Sequence, residues 1–381
     1  MTTWFSATAV TPQLVSAWSL SATAAGWLTN VVQIGFVVGA LGSSLVALSD
    51  RVSLTHLMCW ASVLSAVFNA TLLLEPGIYA AVFLRFLTGV ALASVYPPAM
   101  KFIATYFRSG RGFAMGAMVG ALTLGKAMPH LVSGLGGGFD WRYTVAVTSA
   151  FGLCAALIFV VALREGPFPF ARTKVDPRQI GAILRNKPVM LANLGYFGHM
   201  WELYAMWGWF LVFGREAISS GNWALNASLL AFAVLAMGAP GSLIAGWLAD
   251  RIGRCTTTAI ALVSSGTSAL LIGVFFDAHP ALFLILALIW GLTIVADSAQ
   301  FSAAVSELAD QSYVGSALAF QMGVGFGITI FTVWAVPQIA EALGSWRWSF
   351  LIVVPGPFVG AWAMLTLRRL PEATKLAGGR R

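Results

Sequence analysis

Apolar residues run in blocks along nearly the whole chain, each ended by charge, glycine or proline. A bilayer core ~30 Å thick requires about 20 apolar residues per helix, so the pattern predicts membrane-crossing helices rather than a soluble core. Twelve blocks can be placed, near residues 1–18, 23–47, 54–74, 78–105, 112–136, 142–163, 189–214, 222–248, 256–276, 280–306, 313–339 and 347–368. The fold expected is an all-α membrane protein, with twelve transmembrane helices in two pseudo-symmetric six-helix bundles. The longest polar stretch, REGPFPFARTKVDPRQIGAILRNKP at 164–188, is read as a solvated cytoplasmic linker. It divides a first bundle, 1–163, from a second, 189–370, and a short cytoplasmic tail follows at 371–381. The first block is atypical. It opens at Met1 without a basic lead and lacks signal-peptide features. The expectation is that the first helix is truncated, with the coding start inside it.

Composition agrees with this picture and charge adds an orientation. The chain is 59% hydrophobic and 9% charged, with a mean hydropathy of +0.83, where soluble domains carry about 25% charged residues. The net charge of +8 does not form a nucleic-acid face, because Lys and Arg collect in alternate loops. That is the positive-inside pattern, and it predicts a multi-pass protein of the cell inner membrane with a cytoplasmic C-terminus. The opposite side holds only Arg142, Arg215 and Arg347. Cys59, Cys154 and Cys255 are far apart, and the four histidines have no zinc spacing, so neither a disulfide framework nor a metal site is expected. No phosphate-binding glycine loop precedes a Lys-Ser/Thr pair, and no nucleophile stands with a base. No cofactor and no enzymatic activity are expected.

The chain repeats itself. ALSDRVSLTH after the second block answers GWLADRIGRC after the eighth, so that Asp50-Arg51 recurs as Asp250-Arg251. FDWRYTVAV before the sixth block answers SWRWSFLIV before the twelfth, and Trp141-Arg142 recurs as Trp346-Arg347 at nearly the same offset. Gly246-x-x-x-Asp250-Arg251-x-Gly253-Arg254 resembles the short cytoplasmic loop signature of the major facilitator superfamily. The first-half copy is degraded, with Val46, Ser53 and Leu54 at the positions of Gly246, Gly253 and Arg254. RFLTGVALA from Arg85 resembles the superfamily's second motif. The fifth block, with Gly116, Gly120, Gly125, Pro129 and Gly134, resembles its glycine-rich helix. So short a loop forces its two helices antiparallel, and an Asp there can accept hydrogen bonds from a helix N-terminus while an Arg pairs nearby. Asp50, Arg51, Gly246, Asp250, Arg251, Gly253 and Arg254 are therefore the expected gating-loop residues.

Ionisable side chains inside a membrane cost roughly 2.5–3.5 kcal/mol each on insertion scales and mark candidate sites. Arg85, Lys126, His199, Glu202 and Asp297 fall within blocks. His199 and Glu202, at i and i+3, share a helix face with Tyr196 one turn before. Trp201 lies at mid-block beside Glu202, away from the interfacial belt where Trp normally collects. The resemblance implies that blocks one, four, seven and ten line a central cavity. It thus directs Arg85, Glu202 and Asp297 towards a substrate and proton path, with Lys126 on a neighbouring helix. Two alternatives stay open: the two cations and two acids balance one another, or a cation holds an anionic substrate while Glu202 or His199 carries a proton. Arg85 reads equally well as a hydrogen-bond hub for backbone carbonyls. Asn30, Gln33 and Gln321 either touch substrate or join helices, and Glu307 is expected to reach water.

The function expected is secondary active transport by alternating access, coupled to protons, of a small organic or inorganic anion by a monomer in the lipid bilayer. YPPAMKFIATYF, with Arg85 upstream and Lys126 in the membrane, is similar to the nitrate/nitrite and cyanate permease branch. The paired glycine segments of nitrate porters are not evident, so nitrate itself does not follow. The alternatives are a proton-driven efflux carrier for hydrophobic or cationic compounds, using Glu202 and Asp297, and a non-transporting membrane sensor.

Overall fold

The computed structural model describes residues 1–46, 48–107, 111–136, 140–167, 177–310 and 313–380. Helices account for nearly all of it, and they fall into twelve passes in the order expected. The first is two short helices, Ser6–Ala9 and Thr11–Trp18. Then come Ala22–Leu45, Leu54–Ala70, a fourth pass in two pieces (Ile78–Leu92 and Tyr96–Ala104), Arg111–Leu135 and Trp141–Val161. The second half runs Lys187–Ser220, Ala227–Ala236 with Gly238–Ile252, Arg254–Leu271, Pro280–Thr293 with Ser298–Leu308, Val314–Leu343 and Pro355–Arg368.

Eight of these passes are long and apolar enough, by length and composition alone, to cross a membrane. The first, fifth, seventh and ninth fall outside that set. The first is two short helices, and the ninth is rich in Thr and Ser; the fifth carries Lys126 and His130, and the seventh His199 and Glu202. The fourth pass breaks at residues 93–95, just ahead of Pro97 and Pro98, which lack the N–H groups that would bond the carbonyls four residues back.

The sequence repeat has a structural counterpart in the turns between passes. Arg142 reaches Asp140 at 2.5 Å and also Glu75, between the third and fourth passes. Arg347 donates to Gly273 O at 3.0 Å and lies 3.2 Å from Asp277, between the ninth and tenth. Each Trp-Arg pair therefore clamps the corresponding turn of its own half.

The two halves meet along the fifth and eighth passes, which lie backbone against backbone. A Cβ at Gly116 would stand 2.4 Å from Ser242 O, and one at Gly246 would stand 2.6 Å from Gly112 O. Lipid gives helices no hydrophobic reason to associate, so such close approach between small residues supplies the packing. Gly116→Val forces these backbones apart. The expected result is loss of substrate exchange in proteoliposomes while the purified protein stays monodisperse; unchanged exchange would show that the contact is not needed in the cycle. A second contact joins the halves where Asn30 Nδ2 donates to Ile330 O at 3.0 Å, between the second and eleventh passes.

Candidate functional site

The seventh pass positions the site. Lys187–Ser220 is one unbroken helix of 34 residues, opened by Pro188 and by Asn186, whose side chain caps Val189 N at 3.2 Å. At 3.6 residues per turn, Tyr196, Met200, Leu203, Tyr204 and Trp207 fall on one face. Together they form one wall of a cavity between the halves. Tyr96, Val119, Leu122, Val295, Ser298 and Phe326 complete it, from the fourth, fifth, tenth and eleventh passes. His199 lies at the edge of that face. Glu202 is turned further round, into the second half.

Lys126 stands beside this cavity, almost wholly buried. Its Nζ donates to the Tyr204 hydroxyl. It lies 4.2 Å from the ring centroid of Trp4, 4.3 Å from Tyr204 and 4.8 Å from Trp207. No carboxylate pairs with it among the described residues. The indole N–H groups of Trp4 and Trp207 have no partner among the described residues either, nor does the side-chain amide of the buried Gln33. Phe36 and Phe326 extend the aromatic surface, 5.0 Å and 6.3 Å from Trp4 by ring centroids. Cation–π attraction is worth ~2 kcal/mol or more when desolvated, and it retains a buried ammonium without satisfying its charge. The arrangement is a set of hydrogen-bond donors walled by rings, with no carboxylate paired to it among the described residues.

The other intramembrane charges are already engaged. Arg85 turns to the first pass and the turn before it. It donates to Thr3 O at 2.7 Å, Leu28 O at 3.3 Å and Trp4 O, and touches Asn69 Oδ1 at 3.4 Å. Glu202 accepts from Trp290 Nε1 at 2.6 Å and from Ser265 Oγ at 2.8 Å. His199 Nδ1 lies 2.8 Å from Asp297 Oδ1, both side chains about 1% exposed. Asp297 sits in the break of the tenth pass, just before Ser298–Leu308. Trp201 donates to Ile352 O at 2.8 Å and packs on Phe331, away from the cavity. Of the seven path residues expected from sequence, Tyr196 alone lines the cavity; Lys126 joins it through Tyr204, and the acids stand behind its wall. Trp4, Tyr204 and Trp207 were not singled out beforehand. The signal for Tyr204 and Trp207 was the density of aromatics in LYAMWGW at mid-helix, where an interfacial belt has no reason to be; Trp4 had none.

The second loop signature, between the eighth and ninth passes, is ordered. Gly253 adopts φ +91° and ψ 160°, a region open essentially to glycine alone, and this turns the chain directly into the ninth pass. The Asp250 carboxylate lies against Gly112 at the start of the fifth pass, where the helix dipole favours a negative charge. Arg251 covers the Trp247 ring at 4.0 Å. Arg254 forms a two-pronged pair with Glu307 at 2.6 and 2.9 Å and reaches Gln300 at 2.6 Å. Glu307, expected to reach water, is held in this pair because the Arg fork matches its carboxylate. In the first-half loop Arg51 is exposed, and the Asp50 side chain lies outside the described residues. Gln321 joins helices, bonding Asn193 at 3.1 Å and Ser302 at 3.0 Å.

Comparison with known proteins agrees with this architecture. The chain matches the Major Facilitator Superfamily over residues 1–239 and 217–381. It is 26% identical over 182 residues to the MFS-type transporter pytF of Aspergillus terreus, a match spanning 44% of this chain and 56% of that protein. It is 22% identical over 321 residues to the niacin transporter NiaP of Acinetobacter baylyi, covering 73% of this chain and 69% of the relative. The proton:xylose symporter XylE, bound to 6-bromo-6-deoxy-D-glucose, superposes with a TM-score of 0.72 at 15% identity over 96% of this chain and 92% of that one. The E. coli fucose:proton symporter FucP gives 0.65 at 13% identity, covering 97% of each.

Proposed function

Because this chain belongs to the Major Facilitator Superfamily, a family of membrane transporters, we propose that it is a proton-coupled secondary transporter of a small organic monocarboxylate. The observation that carries this is the buried Lys126, without an acidic partner among the described residues and ringed by Trp4, Tyr204 and Trp207. A charge buried without its counter-charge is strongly unfavourable, and the substrate's carboxylate supplies that counter-charge. The rings add a flat apolar surface suited to a planar substituent. A cationic substrate would meet like charge at the same place, which disfavours efflux of cationic compounds through this cavity. The niacin transporter among the relatives, and the proton symporters among the structural neighbours, support the choice of a carboxylate and of protons.

In this reading the protein is a monomer of the cell inner membrane. Its halves, 1–163 and 189–370, rock about the cavity, with the 164–188 linker and the 371–381 tail in the cytoplasm. Asp250 against Gly112 of the fifth pass joins the halves on the inner side and releases when they tilt. The test is ligand stabilisation of the purified protein. A ligand at about 100 times its Kd adds ~2.7 kcal/mol of stability, so nicotinate raises the melting temperature measurably, while nicotinamide, its uncharged counterpart, does not. Equal response to both compounds would remove the carboxylate from the proposal. A response to cationic dyes alone would make the protein an exporter.

A further inference from the structure

Resting on the transport reading above, we infer that the coupled proton is carried by His199 in the second half, with Asp297 as its fixed counter-charge, at a place separate from the substrate's Lys126 cage. The two groups meet at 2.8 Å with both side chains about 1% exposed. They come from different elements, the unbroken seventh helix and the non-helical break of the tenth. Asp297 occupies the residue before Ser298–Leu308, yet its side chain does not cap that helix; it turns to the imidazole instead. The remaining nitrogen of His199, Nε2, is buried without a hydrogen-bond partner among the described residues. That open position is what distinguishes the pair from Glu202, whose two oxygens are both bonded, to Ser265 and Trp290.

The placement joins the pair to the cavity. Tyr196, one turn before His199, lies 6.0 Å from it by ring centroids and is a cavity wall residue. Val295 and Ser298, flanking Asp297 on the tenth pass, are wall residues too. Phe301 closes the other side of the imidazole at 5.7 Å. The pair therefore sits one layer behind the wall, at the point where the tenth pass bends.

The step is a proton transfer with no other bond changed. His199 Nδ1 faces the Asp297 carboxylate at 2.8 Å, a proton from water on one side forms an N–H bond at Nε2, and that bond breaks to water on the other side. Protonated, the pair is an imidazolium and a carboxylate with no net charge; deprotonated, it leaves a bare anion in the membrane interior, which is costly. One proton with one monocarboxylate makes the cycle electroneutral. The charged or titratable groups on the surrounding elements are Glu202 on the same helix, Lys126 on the fifth pass and Arg254 with Cys255 and Glu307 at the inner ends of the ninth and tenth. Glu341 and Arg368 stand at the far ends of the eleventh and twelfth.

The experiment compares two readings in proteoliposomes with nicotinate as the probe: exchange of external for internal substrate, and accumulation driven by a pH gradient. One proton per substrate allows about tenfold accumulation per pH unit. His199→Gln cannot carry the proton at Nε2. It is expected to keep exchange within about twofold and to lose accumulation about tenfold. Accumulation at the wild-type level overturns the assignment. If His199→Gln fails to exchange, Asp297→Asn takes its place under the same two readings: retained exchange without accumulation supports the pair, and any other result overturns it. Absence of exchange by the wild type removes the transport reading itself, and this inference with it.

Discussion

Lys126→Gln lowers the affinity for nicotinate about 10- to 150-fold, and it does so in a protein at least as stable as the wild type. The first half follows from the 1.5–3 kcal/mol that a hydrogen bond to a charged group contributes. The second follows from the surroundings of Nζ: three rings and a tyrosine hydroxyl, with no acid paired to it among the described residues. Removing a buried charge that lacks its partner relieves a desolvation cost, so the melting temperature without ligand is unchanged or higher. A residue kept for packing would behave in the opposite way, losing stability together with binding. Fluorescence titration and thermal melting on the same preparation separate the two.

Arg85→Leu gives the reverse pattern. The guanidinium holds the carbonyls of Thr3, Trp4 and Leu28 and reaches Asn69. Asn69 in turn donates to Ser149 at 2.9 Å and accepts from Ser6. Truncation leaves several buried acceptors without donors, at about 1–3 kcal/mol each. The expected loss is ~3–5 kcal/mol, seen as a sharp fall in melting temperature and in the yield of monodisperse protein. Exchange per folded molecule falls much less than in Lys126→Gln. A stable Arg85→Leu protein that no longer binds nicotinate would move Arg85 from the scaffold to the substrate path.

These two cations show what the sequence could and could not reveal. Both were visible as charges inside apolar blocks, because burial of an ionisable group is written in the hydropathy pattern. Their roles were only partly legible, since role depends on what faces the side chain. Arg85 reads from sequence either as a backbone hub or as a path residue, and the structure shows the hub, on the carbonyls of Thr3, Trp4 and Leu28. Lys126 meets rings from two other passes, brought together only by the packing of the halves. The twelve passes and the recurrence of Trp141-Arg142 as Trp346-Arg347 were legible because each rests on a local pattern repeated in both halves; the turns that Arg142 and Arg347 hold were not. The i, i+3 pair of His199 and Glu202 was legible as a shared face. The structure separates their partners, however, because the step between them turns one towards Asp297 and the other towards Ser265 and Trp290.

Uptake of labelled nicotinate into proteoliposomes under an inward-directed proton gradient, in wild type and Lys126→Gln, tests the central claim most directly. The account predicts saturable uptake by the wild type that excess benzoate blocks and excess nicotinamide does not, and that Lys126→Gln lacks at the same substrate concentration. Uptake by Lys126→Gln at the wild-type rate, or equal block by nicotinamide, would contradict it.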